Sequence, residues 1–100
     1  MSDLKDEATD QLFEAILSLQ NKEECYKFFE DICTIKEIEA MSQRLKVARM
    51  LKEGATYDQV AEQTGASTAT ISRVKRYLNY GADGYNLILN RLLEEETEEK

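Results

Sequence analysis

Proline and histidine are absent from this chain, glycine occurs four times and cysteine twice. Without proline, and without a glycine- and serine-rich stretch, nothing cuts the 100 residues into parts, so a single domain over residues 1–100 is expected. The missing histidine removes the commonest catalyst at neutral pH, and no carboxylate cluster has a spacing that demands a metal or an active site. No enzyme, metal or cofactor is expected. Cys25 and Cys33 have neither CxxC spacing nor a histidine partner. They read as free, structural thiols of a reducing cytosol, with a Cys25 to Cys33 bridge as the alternative. No apolar run is long enough to span a bilayer and no basic, apolar leader opens the chain, which predicts a cytoplasmic protein with no membrane partner.

Acids outnumber bases, 20 to 13, for a formal charge of -7. A polyanion would be repelled by such a sum, but the charges are unevenly placed. The first 31 residues and the C-terminal tail hold most of the acids, whereas Ser67 to Gly81 carries Arg73, Lys75 and Arg76 and no acid.

That basic stretch lies in the most informative segment, TYDQVAEQTGASTATISRVKRYL, residues 56–78. Thr56 and Gln59 offer a capping box to a first short helix, with Val60 on its inner side and Ala61 as the small residue at a helix crossing. Gly65 can take a positive φ in the connection, and a second helix is expected to begin after Ser67. Ile71, Val74 and Leu78 return at three- and four-residue steps, so they face inward and turn Thr68, Ala69, Ser72, Arg73 and Arg76 outward. This is the pattern of a helix-turn-helix, whose second helix reads the major groove. Thr70 suits a phosphate contact at the helix start, and Lys75, Arg76 and Arg49 are further candidates for phosphate. A plain helical hairpin and a protein-binding helix-turn-helix remain the alternatives.

Around the motif, helical periodicity recurs. Leu4, Ala8, Leu12, Ala15, Ile16 and Leu19 predict a helix over roughly residues 4–19. Asn21 and Glu24 open a second, with an apolar band at Cys25, Tyr26, Phe28, Phe29 and Ile32. Thr34 and Glu37 open a third, in which Ile38, Met41, Leu45, Ala48 and Leu51 form an inward stripe ending at Gly54. Residues 79–84 read as a turn, with Asp83 capping a last helix that holds Tyr85, Leu87, Ile88, Leu89, Leu92 and Leu93. Residues 94–100 read as a frayed acidic tail. The fold class is all-α. The apolar faces are too broad for a small monomer, which points to self-association.

Over most of its length, and most clearly from Tyr26 to Leu78 with TIKEIEAMSQRLKVARMLKEG and TGASTATISR, the chain resembles the Trp repressor superfamily, in particular its small Trp-repressor-like members from Gram-positive bacteria. The resemblance implies a six-helix, intertwined homodimer with two helix-turn-helix units set apart for a two-fold operator. It also implies an effector pocket. Arg44 and Arg73 match the two arginines that hold the indole corepressor, and Thr34 matches a threonine near that pocket. The chain departs from the pattern at Val74, where the family has glycine beside the ligand, and at Tyr77, where it has serine. A small-molecule effector is therefore compatible with the match, but tryptophan is disfavoured. Thr68, Ala69 and Ser72 match operator-facing positions, while Asp58 and Ala61 stand where the repressor is basic, so the operator should differ.

These observations together predict a sequence-specific, double-stranded-DNA-binding transcriptional regulator of the repressor kind. Its DNA-binding set is Ser67, Thr68, Ala69, Thr70, Ser72, Arg73, Lys75 and Arg76, and the effector set is Thr34, Arg44, Arg73, Val74 and Tyr77. The alternative is a non-enzymatic protein-interaction adaptor whose helix-turn-helix has lost DNA.

Overall fold

A computed structural model describes residues 6–98. Six α-helices follow one another: α1 Glu7–Leu17, α2 Lys22–Ile32, α3 Ile35–Lys52, α4 Tyr57–Thr64, α5 Thr68–Tyr80 and α6 Gly84–Glu98. No strand occurs among the described residues. The chain divides into two compact units, Met1–Ile38 and Glu39–Lys100, with the boundary inside α3.

In the first unit the helix starts are set by short polar side chains. The carboxylate of Asp6 accepts from the Thr9 backbone N–H at 2.7 Å, and that bond holds its pKa below the ordinary value. Helix α1 is shorter than its periodicity suggests. The Ser18 hydroxyl turns back onto the Ala15 carbonyl at 2.6 Å and closes the helix before Leu19, while Leu4 lies outside the described residues. At α2, Asn21 accepts from Glu24 N–H, but the Glu24 carboxylate takes the N–H of Gln20 rather than that of Asn21, so the box closes one residue early. Thr34 and Glu37 make the full reciprocal box at 3.1 and 2.8 Å, and the Thr34 N–H lowers the Glu37 pKa. Phe28 and Phe29 meet edge to face at 5.5 Å. Neither α1 nor α2 has a buried residue, and Phe13, Leu17, Tyr26 and Ile32 are more than half exposed. Both cysteines are free thiols.

The second unit has a core. Val47 and Ala48 of α3, Val60 of α4, Ala66 of the turn, Ile71 and Val74 of α5 and Leu89 of α6 are buried together, with Leu51, Leu78 and Tyr85 packed against them. Burying an aliphatic side chain of this size contributes about 1.5–3 kcal/mol. The inward stripe of α3 differs from expectation. Val47 joins Ala48 in the core, while Met41 and Leu45 stay 38% and 39% exposed. Gly54, at φ +94°, ends α3, with its N–H on the Leu51 carbonyl.

Three further expectations change at the end of the chain. Helix α5 runs on through Asn79 to Tyr80, so the turn narrows to residues 81–83. Asp83 takes φ +70°, and its carboxylate accepts from the Asn86 side-chain amide rather than from a first-turn backbone N–H. The acidic residues from Glu94 to Glu98 continue α6, because Glu96 is drawn onto Arg49 of α3.

Candidate nucleic-acid interface

The interface is built from α4, its turn and α5. Thr56 and Gln59 make the capping box that starts α4, at 3.2 and 2.9 Å. The helix stops at Gly65, whose φ of +70° costs glycine nothing and would cost a residue with a Cβ about 1–2 kcal/mol. Thr64 organises the turn. Its hydroxyl donates to the Val60 carbonyl at 2.7 Å and accepts from Ala66 N–H at 3.1 Å, and its carbonyl accepts from the Gln43 amide of α3 at 3.1 Å. Ala61, expected at the crossing, is exposed. Ala66 of the turn is the small residue that joins the core instead, 6% exposed.

Ser67 caps α5, accepting from Thr70 N–H at 3.1 Å and donating to the Thr70 hydroxyl at the same distance. Ile71 and Val74 are each 1% exposed, so the helix is fixed in rotation about its axis. Thr68, Ala69, Ser72, Arg73, Lys75 and Arg76 are consequently exposed, with Thr70 half-buried at the edge. The Lys75 ammonium sits 5.3 Å from the centre of the Tyr57 ring, on the flank of α5 nearest the start of α4. Neither Arg73 nor Arg76 makes an ion pair among the described residues, and α5 contains no acid. Both charges are available to an anion. Arg49 is not. It pairs with Glu96 and, at 3.9 Å, with Glu53, and the hydrogen bond it donates to the Glu96 carboxylate raises its pKa.

Of the effector residues, Arg44, Arg73, Val74 and Tyr77 lie in the C-terminal unit. Thr34 belongs to the N-terminal unit, where it caps α3. Val74 is spent in the core. Tyr77 is 52% exposed and lines an apolar hollow of about 520 Å³ with Leu45, Tyr85 and Ile88, which neither Arg44 nor Arg73 lines. Sequence reasoning missed Gln43, which pins the turn, and Tyr57, which holds Lys75. A polar residue on the flank of a long helix and an aromatic at a helix start were their only signals. Among the described residues no group of His, Cys, Asp or Glu is placed to hold a metal, and no helix is long and apolar enough to cross a membrane.

The family model described as Trp repressor protein matches residues 7–93, from the start of α1 into α6. This chain belongs to the Trp repressor family. Among its relatives, the YerC protein of Bacillus subtilis strain 168 is 61% identical over 95 residues, which cover 95% of this chain and 91% of that protein. Two solved structures are similar throughout. One, a candidate Trp repressor from Staphylococcus aureus, gives a TM-score of 0.86 at 57% identity and covers 89% of each chain. The other, a TrpR-like protein from Eubacterium eligens ATCC 27750, gives 0.87 at 62% identity and covers 89% of this chain and 92% of its own. The Trp repressor fold and its helix-turn-helix are thus shared, and the chain is in coarse terms a DNA-binding regulator of a non-enzymatic family.

Proposed function

We propose that this Trp repressor family member is a cytoplasmic transcriptional repressor that reads double-stranded DNA in the major groove as a homodimer. The observation that carries the reading is the exposed, acid-free face of α5, held by the buried Ile71 and Val74. Thr68, Ala69 and Ser72 are the base-edge contacts, where hydroxyls can meet donors or acceptors and the alanine methyl can meet a thymine methyl. Ser67 and Thr70 at the helix start, with Arg73, Lys75 and Arg76, meet phosphates and supply most of the affinity. Arg49, pinned by two carboxylates, is left out of that set.

Dimerisation is supported by the unburied apolar faces of α1 and α2 and by Leu45, Leu87, Ile88 and Leu93, all at least 37% exposed. Tryptophan is not the switch in this reading, since the chain departs from the repressor's pocket pattern at both Val74 and Tyr77. An adaptor that no longer touches DNA is the competing reading, favoured by the exposed, unpaired Asp58 and Glu62 of α4. Crosslinking the endogenous protein to chromatin separates the two. Discrete, recurrent sites sharing a sequence support the repressor; occupancy no higher than that of an unrelated soluble protein supports the adaptor.

A further inference from the structure

We infer that the hollow between the end of α3, the start of α4 and the flank of α5 is a binding site for a phosphate group. It measures about 490 Å³ and is lined by Lys52, Thr56, Tyr57, Lys75, Asn79 and Asn86 among others. Both charged groups on its wall are ammoniums, and no carboxylate lines it, in a chain with seven more acids than bases. The polar hollow beside the other end of α4 is different, because there Glu39 faces the same space as Lys46.

The cations are held in place by uncharged partners. Lys52 donates to the Asn86 side-chain carbonyl at 2.7 Å, and the Asn86 amide is itself fixed on the Leu78 backbone carbonyl at 2.9 Å and on Asp83. Lys75 rests over the Tyr57 ring. Neither ammonium makes an ion pair among the described residues, so each keeps N–H donors for an incoming anion. A phosphate presents several charged oxygens in different directions, which suits two separated lysines and the Asn79 amide better than one planar carboxylate does. Ser72, Lys75 and Asn79 follow at three- and four-residue steps along α5, so the hollow begins where the outward face ends. The phosphate is therefore either part of a duplex backbone crossing that face or carried by a free phosphorylated molecule. The site rests on its own lining and survives a failure of the DNA reading.

The test is a titration of isotope-labelled, full-length protein with inorganic phosphate, followed by amide resonances, with sodium chloride at matched ionic strength as control. Saturable shifts confined to residues of the hollow are expected with phosphate and not with chloride. Lys75→Gln and Asn79→Asp should each weaken that binding at least fivefold, while Lys75→Arg retains it and Lys46→Gln leaves it unchanged. Shifts that are linear, equal in chloride, or unaffected by both Lys75→Gln and Asn79→Asp overturn the site. A second arm assigns the source by replacing single phosphates of a bound duplex with neutral methylphosphonate. A position whose replacement weakens the parent protein but not Lys75→Gln supports the site with a DNA phosphate as its ligand. Saturable phosphate binding with no such position supports it with a free phosphorylated molecule.

Discussion

Arg49 and Arg76 are both exposed enough to meet solvent, yet one is bound to carboxylates and the other is not, so replacing each with alanine should change DNA binding in different ways. Arg76 lies on the acid-free α5 and has no ion pair among the described residues. Its removal costs the fold little, since exposed positions away from special features change stability by about 0.5 kcal/mol or less. It should remove one neutralised phosphate, which lowers the salt slope by about 0.9. Between about 50 and 200 mM salt, a fourfold change, the advantage of the parent protein over Arg76→Ala should therefore shrink about 3.5-fold. Arg49 is pinned by Glu96 and Glu53, and its removal leaves those two acids uncompensated, which makes the protein more negative without removing a phosphate contact. Arg49→Ala should weaken binding with no loss of slope. Fluorescence anisotropy on one duplex over a salt series measures both. Equal slope losses for the two variants, or none for Arg76→Ala, would refute the assignment of charges.

Gly65→Ala should lower stability by about 1–2 kcal/mol in chemical denaturation, because the added Cβ meets open space and the whole cost is the left-handed φ. A change below about 0.3 kcal/mol would contradict the turn. Equilibrium sedimentation should give a dimer at micromolar protein and well below it, and a stable monomer throughout would defeat the reading of the exposed α1 and α2 faces. Calorimetric titration with tryptophan should show no saturable micromolar site, and adding it should alter operator affinity by less than about twofold. A one-per-subunit complex with a tenfold gain in DNA affinity, worth about 1.4 kcal/mol, would overturn that expectation.

Local chemistry made much of this architecture legible. Thr56, Thr34, Asn21 and Ser67 each begin a helix because each carries a short side-chain acceptor three residues before a backbone N–H it can reach, and the apolar steps at Ile71 and Val74 fix which side of α5 is outside. What escaped depends on packing between distant residues. Ala61 and Ala66 are equally small, and only the three-dimensional path of the turn decides which one is buried. Val74 looks from the sequence like a side chain beside a ligand, and only its packing against residues far along the chain shows that it is buried in the hydrophobic core. The acidic tail reads as frayed because nothing local announces that Glu96 meets a residue 47 positions earlier. Helical spacing likewise placed Met41 and Leu45 on an inner stripe, but a single chain offers too little apolar surface to cover them.

Selection from a pool of randomised duplexes, run in parallel with the parent protein and Ser72→Ala at fixed salt, tests the central claim most directly. The parent should enrich a two-fold symmetric site, with half-sites one helical turn of about 34–36 Å or a multiple of it apart. Ser72→Ala should enrich the same site with relaxed preference at one base step in each half. No enrichment by the parent, or identical profiles from both proteins, would contradict it.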